Sequence, residues 1–431
     1  MTLVKKYYHW VILQILIVIN GYYILQIPDV PHWDEWDLVF KDSFLNPANL
    51  KLYMTPHGEH IIIPTRLIVN AFYHLNGLNY SSLVQFGFIV YLFALWSLYK
   101  FMRPIFPSSQ LAVLSLLPFL STLAMENLTM GMQCCIHMCL GFFALSWWIF
   151  FKRPDSYWFR GLQAALLFLA ALSFAAGVGY LVAGILIFSL ASFGWFGDEF
   201  KMKGRNIFSI ILLSVFLTVC LSLLVAIKGL EKPPFNLFGF LNHYVAILAF
   251  GLGVARATPF LLFLGLGMVL AFLFLVLKKS FLGGKPDALR LRLTILLISV
   301  CSSLLLISFG RWGFGVSQAK SLRYSELALP LFGVWVVLLA AELSEKPKWM
   351  RNTIIALILI LTSGRFKYSD YESDFIGHRR VGLECLKKVN LNDPIIICET
   401  SYPGNMKNQL MNAIELKLSF TKDLFPLAVS R

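Results

Sequence analysis

Apolar residues fall in blocks of 15 to 23, separated by short polar or basic stretches. An α-helix rises about 1.5 Å per residue, so about 20 apolar residues cross a hydrocarbon core about 30 Å thick. The pattern predicts spans at 8–27, 82–102, 110–126, 132–151, 161–176, 179–196, 206–228, 257–277, 293–310, 325–342 and 350–364. The 36-residue block 161–196 is too long for one span and breaks at Ala175-Ala-Gly-Val-Gly179 into a helical pair. The first block has no small-residue cleavage site before Pro28-Asp29 and reads as a retained span. No internal repeat is visible.

Basic residues then set the parity. Lys5 and Lys6 place the N-terminus in the cytoplasm by the positive-inside rule. Every second loop carries bases: Lys100 and Arg103; Lys152, Arg153 and Arg160; Lys201, Lys203 and Arg205; Lys278 to Arg292; Lys346 to Arg351. Eleven crossings leave the C-terminus outside. Residues 61–77 look almost long enough to span, but crossing there would move Lys100 and Arg103 outside. With Arg66, Asn70 and His74 at helical spacing, they read as an amphipathic helix at the outer interface. Residues 236–255 likewise read as surface or re-entrant.

Composition agrees with this pattern. AVILMFWYC make up 58% of 431 residues and charged residues only 14%, against about 25% in a soluble domain. The mean hydropathy is +0.70. The expected class is an all-α polytopic membrane protein: a transmembrane unit over 1–364, with its first outer loop at 28–81, and a small extracytoplasmic region over 365–431. The net charge of +14 raises a separate question. Eighteen bases lie at the six predicted cytoplasmic positions, which leaves nineteen elsewhere, ten of them in the last 67 residues. Anchoring alone does not use that surplus, and a basic surplus in a membrane chain is a poor sign of nucleic acid.

The outer loops carry the candidate chemistry. Residues 28–60 hold six acids, opposed only by Lys41 and Lys51. Asp34 and Glu35 are adjacent and flanked by Trp33 and Trp36, whose rings favour the headgroup level. A carboxylate partly desolvated there would have a raised pKa and act as a general base; the plainer reading is a solvated acidic loop. Asp37 reads as local capping or solvation. His57-Gly-Glu-His60 holds zinc-type ligands, but its spacing is not the metalloprotease pattern and Gly58 argues for a turn. Hydrogen bonding within the loop, or substrate contact by His57, Glu59 and His60, suits that spacing better than a metal. Between two late spans, Arg311, Lys320 and Arg323 lie in a stretch with no acid before Glu326. Guanidinium groups match phosphate geometry with paired hydrogen bonds, and Tyr324 adds a hydroxyl, so a lipid phosphate is the natural partner. The plainer reading is pairing with the acidic first loop.

Other residues read as packing first. Cys134, Cys135 and Cys139 share one span with His137, and Cys220 and Cys301 are also intramembrane. Glu126, Asn127 and Gln133 mark the outer end of a span and suit either a cavity or a helix cap. Arg256 suits either snorkelling or a functional role. Cys385 and Cys398 lie in the outer tail, where an oxidising compartment permits a disulfide.

Taken together, Asp34-Glu35-Trp36, Glu59-His60 followed by a helix bearing Arg66, and the late basic loop of Arg311, Arg323 and Tyr324 resemble the C-superfamily of membrane glycosyltransferases (GT-C fold). Within it, the chain looks most like the O-antigen serotype-converting glucosyltransferases of enteric bacteria. The resemblance implies a multi-pass protein of the bacterial inner membrane that moves a sugar, glucose or another hexose, from undecaprenyl phosphate to a surface glycan such as O-antigen lipopolysaccharide at the periplasmic face. It implies inversion by single displacement, with Asp34 or Glu35 as base. Arg311, Lys320, Arg323 and Tyr324 would hold the donor phosphate, and Trp36, His57, Glu59, His60 and Arg66 would line the pocket. No cofactor is required by the residues, although some relatives use a divalent metal. The implied partners are the lipid-linked sugar, the glycan acceptor, the bilayer, a companion flippase and a donor-synthesising enzyme. Two other classes stand beside it. A lipid-linked glycan flippase or transporter would place ionisable residues deep within its spans. An O-antigen polymerase or ligase would carry its main charge in later, larger outer loops.

Overall fold

The computed structural model describes residues 2–38, 44–55, 57, 60–106, 108–121, 124–225, 234–251, 288–314, 324, 326–334 and 371–426, with isolated positions between 267 and 349. The protein is an all-α membrane protein. Among the described residues, five helices are long and apolar enough to cross a bilayer, starting at Tyr7, Tyr80, Gly131, Lys203 and Ala288. Shorter apolar helices fill in between them.

We number the principal helices α1 (Thr2–Ile24), α2 (Ile63–Asn76), α3 (Tyr80–Met102), α4 (Cys134–Lys152), α5 (Tyr157–Ser173), α6 (Gly177–Ser192), α7 (Lys203–Val225), α8 (Leu237–Gly251) and α9 (Ala288–Arg311). The α5–α6 break falls at the small-residue stretch that the sequence marks. Gly179 packs so tightly on α9 that a Cβ would lie 2.6 Å from the Ser303 nitrogen. Predicted spans 257–277 (isolated positions apart) and 350–364, and half of 325–342, lie outside the described residues.

The stretch 110–126 departs from the expected continuous span. A short helix Ser109–Leu114, a tight turn Leu117–Leu120 and a turn of helix Met125–Leu128 replace it. Pro118 supplies no amide and cannot continue the helix. The broken backbone is satisfied by neighbours instead: the Tyr91 hydroxyl donates to Phe119 O, and Asn20 Nδ2 donates to Leu120 O at 3.1 Å. Such irregular backbone is tolerated at membrane depth only when buried in protein.

Loops sort to two ends of the bundle. At one end, Arg292 Nη1 donates to Phe101 O at 2.8 Å and stacks over the Phe151 ring, while Arg160 donates to Pro154 O and lies over Phe150 and Phe188. Lys100, Lys152 and Arg205 each sit over an aromatic ring of this end. At the other end, Asp29 accepts from the Tyr80 amide at 2.6 Å and from Asn79 Nδ2 at 2.9 Å, which caps α3. The bases of the alternate loops named here thus gather opposite the acidic first loop. Helix α8, read as surface or re-entrant, packs along α9: Gly239 meets Trp312, His243 Nδ1 meets Ser308 Oγ at 3.1 Å, and Tyr244 donates to Cys301 O. It runs into the bundle rather than lying flat across it.

Helix α2 is amphipathic and buries two polar groups, Arg66 and Asn70. Thr65, Arg66, Val69 and Asn70 are buried, whereas Leu67 and Leu75 are exposed. Arg66 and Asn70 turn to protein, whereas His74, on the same stripe in the sequence, is exposed beside Leu75. It ends at Gly77, whose φ of 69° is the left-handed stop that glycine accepts without a Cβ clash.

The tail packs on the acidic end. After a wide helical turn Tyr371–Ile376, it forms α10 (Gly377–Lys387), an antiparallel pair β1 (Ile397–Cys398) and β2 (Tyr402–Asn405), then α11 (Lys407–Glu415) and α12 (Ser419–Leu424). A disulfide joins Cys385 to Cys398. Ser419 N donates to Gly77 O at 2.7 Å, and Phe420 packs edge-on against Trp36. The tail is therefore the second wall of the first loop.

Candidate functional site

Residues Trp33–Leu38 form a tight 3-10 helix that turns successive side chains in three directions. Glu35 and Trp36 point into the protein; Asp34 is half-buried, and Trp33 and Asp37 face out. The neighbouring acids therefore have different environments.

Glu35 is completely buried and fully engaged. One oxygen accepts from the Gly131 amide at 2.7 Å; the other accepts from the His32 amide at 3.0 Å and from Arg379 Nη2 at 2.7 Å. Arg379, buried in turn, also donates to Val30 O and to Thr129 O. Burial pushes the Glu35 carboxyl above its ordinary value, and the guanidinium and two amides pull against it. A Cβ on Gly131 would lie 2.5 Å from the Leu83 side chain, so the residue that offers its amide to Glu35 must be small. The first loop, the 129–131 turn and the tail meet at this one ion pair. A carboxylate held by three donors is a tie between elements, and it is poorly placed to take a proton from a substrate.

Trp36 is also structural. It is buried, and its Nε1 donates to Ser401 Oγ at 3.0 Å. Ser401 O accepts from the Trp33 amide at 2.7 Å, and Ser401 N donates to Cys398 O at 2.7 Å. Trp33, 45% exposed, is held with φ at 49°, a conformation uncommon for a bulky residue. Beneath it His32 is driven down to about 3 by burial and then by the positive fields of Arg379 and His378.

The exposed side of the turn is different. Asp34 and Asp37 lie one turn apart, and the charge of Asp34 acts on both Asp37 and Tyr402. The Tyr402 hydroxyl donates to Asp37 Oδ1 at 3.3 Å and accepts from Gln409 Nε2 at 3.3 Å. Desolvation raises the Asp37 carboxyl, the Tyr402 bond lowers it, and Asp34 raises it again. Two carboxylates at an accessible surface, beside an outward indole and a tyrosine, can accept a proton and hold a hydroxylated ligand. The sequence reading of Asp37 as a cap or solvated group omitted its tie to Tyr402. Nothing in the sequence links residues 365 positions apart.

The other predicted residues divide. His57 and His60 exchange backbone hydrogen bonds at 2.9 Å, and the His60 ring packs 4.3 Å from Phe174; Gly58 between them lies outside the described residues. Arg66 Nη1 donates to Leu52 O at 3.1 Å, bracing the short helix of the first loop. Glu59, Lys320 and Arg323 lie outside the described residues, as does Arg256. Arg311 ends α9 at the acidic end and lies over Phe314; Tyr324 is buried. Among the described residues no three metal-binding side chains gather.

A second polar group was not assembled from the sequence. Glu326 is fully buried and accepts from Asn127 Nδ2, while its other oxygen lies 3.1 Å from His137 Nδ1. Asn127 and His137 stand out in the sequence individually; their common partner, 189 or more positions away, does not.

No family model, curated protein or solved structure matches the chain.

Proposed function

We propose that this chain is a membrane glycosyltransferase of the GT-C type, which transfers a hexose from a polyprenyl-phosphate carrier to a surface glycan such as O-antigen. The observation that carries the reading is the accessible Asp34–Asp37 pair with Trp33, built jointly by the first loop and the tail. Carboxylates supply a base, an exposed indole suits a sugar face, and Arg311 ends α9 at the same end of the bundle. In this account the chain makes eleven crossings of a bacterial inner membrane, with the N-terminus cytoplasmic and the tail periplasmic. The disulfide favours the oxidising side for the tail.

Asp34 takes the proton from the acceptor hydroxyl as that oxygen attacks the anomeric carbon. The bond from that carbon to the phosphate oxygen breaks with its electron pair on the phosphate, and configuration inverts. A positioned base contributes about 10²–10⁴-fold. Arg311, with Lys320 and Arg323, stabilises the departing phosphate. Glu35 holds the loop for this chemistry without taking part in it.

One observation favours a second reading, a proton-coupled transporter of lipid-linked glycan. Ionisable residues deep in the bundle are that class's mark, and Glu326 with His137 is such a pair. The test is transfer of labelled hexose by membranes carrying wild-type protein, Asp34→Asn or Glu35→Gln. Asp34→Asn should lose transfer at normal protein level, and Glu35→Gln should lose protein first. Full transfer by Asp34→Asn removes the glycosyltransferase mechanism, and lipid-linked sugar moved across the membrane without transfer establishes the transporter.

A further inference from the structure

We propose that the cleft between α1 and α3 at the base-rich end holds one acyl chain of an anionic diacyl phospholipid, with the Lys100 ammonium against its phosphate. Trp10, Leu13 and Ile17 recur at helical spacing along α1, and Leu92, Leu95 and Tyr99 do so along α3. The two stripes line a half-open cavity of about 350 Å³, and Leu116 from the broken 110–126 stretch completes the lining.

Charge sits at one end of this slot. Lys100 supplies the one charge among the described residues that line it, and its Nζ lies 5.7 Å from the centre of the Trp96 ring. The Trp10 and Tyr99 rings meet edge-on at 5.5 Å, and Trp96 packs edge-on against Trp148 of α4. Tryptophan and tyrosine favour the headgroup level, and a lysine at that level keeps its ammonium in the polar layer. From Lys100 the lining runs back to Leu92, eight residues and about 12 Å along α3. One leaflet is half of a hydrocarbon core about 30 Å thick, so the cavity has the depth of a single leaflet.

Neighbouring bases are already spent. Arg103 Nη1 donates to Phe106 O at 3.0 Å, and Arg292 Nη1 donates to Phe101 O at 2.8 Å. Lys100 is exposed, and no carboxylate pairs with it among the described residues. An apolar slot offers a free anion no partner, whereas an acyl chain that carries a phosphate uses both the slot and the ammonium. The slot opens at the end opposite Asp34 and Arg311, so its occupant is a resident membrane lipid and not a sugar carrier. The inference therefore stands apart from the function proposed above. Bound there, the lipid braces α1 against α3, as Asn20 braces the far end of α1 against Leu120 O.

The test is photo-crosslinking of the full-length protein with benzoylphenylalanine in place of the half-buried Leu92. The nanodiscs hold phosphatidylglycerol and phosphatidylcholine in equal parts with matched chains, and a little undecaprenyl phosphate. Irradiation should attach phosphatidylglycerol to position 92, identified by the mass of the adduct. Lys100→Gln should lower the ratio of phosphatidylglycerol to phosphatidylcholine adduct about fivefold, the effect of one basic side chain on an anionic headgroup, and Lys100→Arg should preserve it. Leu13→Trp, which fills the slot, should remove both adducts. An adduct with undecaprenyl phosphate, with another segment of this chain or with a second copy overturns the assigned occupant, and so does the absence of any adduct. Equal adducts of the two phospholipids, or a ratio that Lys100→Gln leaves unchanged, overturn the headgroup contact.

Discussion

At the scale of single residues, adjacent acids that look interchangeable in the sequence have separate roles. Glu35 accepts three hydrogen bonds in a buried ion pair, whereas Asp34 lies at the accessible surface. Removing one member of a buried pair leaves a charge without compensation and costs about 3–5 kcal/mol, whereas replacing both is far milder. Arg379→Met should therefore lower the melting temperature in detergent markedly, and the double change Glu35→Gln with Arg379→Met should recover part of it. His32 gives a pH prediction. Its folded-state value of about 3 lies below the ordinary 6.5, so the unfolded state binds the proton more readily. The stability it contributes is complete above about 6.5 and is lost as the pH falls toward 3. Proteolysis of the tail should accelerate across that window, and His32→Asn should flatten the dependence. The acidic turn and its aromatic flanks were legible in the sequence. The choice between the acids was not, because Arg379 and Gly131 come from distant parts of the chain.

At the scale of elements, most of the described helices lie where apolar periodicity puts them, since a lipid-facing helix must be apolar over its whole length. The failure at 110–126 has a local cause: hydropathy counts apolar residues, while Pro118 and Ser121 decide whether the helix continues. Helix α2 was recognisable by period, but only packing shows that Arg66 and Asn70 turn inward while His74 stays exposed. The tail's contribution was the least legible. Its helices α10 and α11 are as amphipathic as α2, but that pattern does not name their partners: Ser401 binds both Trp33 and Trp36, and Cys398, next to that turn, is tied to α10 by the disulfide. A cross-link closing a loop of this length contributes about 3 kcal/mol by chain entropy. Replacing Cys385 and Cys398 with serine should loosen the first loop as well as the tail, seen as faster amide exchange at Trp33 and Trp36.

At the scale of the whole molecule, charged groups among the described residues sort to two ends. Described bases of the alternate loops cluster with aromatic rings at one end, and the acid-rich first loop meets the tail at the other. A cysteine placed at Asn392 should react with a membrane-impermeant thiol reagent on intact cells, and one placed at Asp155 only after permeabilisation. Reaction of both on intact cells would contradict the two-ended arrangement. The late basic loop adds Arg311 to the acidic end, which is why a lipid phosphate facing a carboxylate pair is the reading that uses the most of the molecule. The most direct measurement of that reading is a mass spectrum of surface polysaccharide from cells with the wild-type protein, with Asp34→Asn, and with neither. The account predicts one added hexose per modified repeat with the wild type alone. Identical spectra from all three, with the protein present in the membrane, would contradict it.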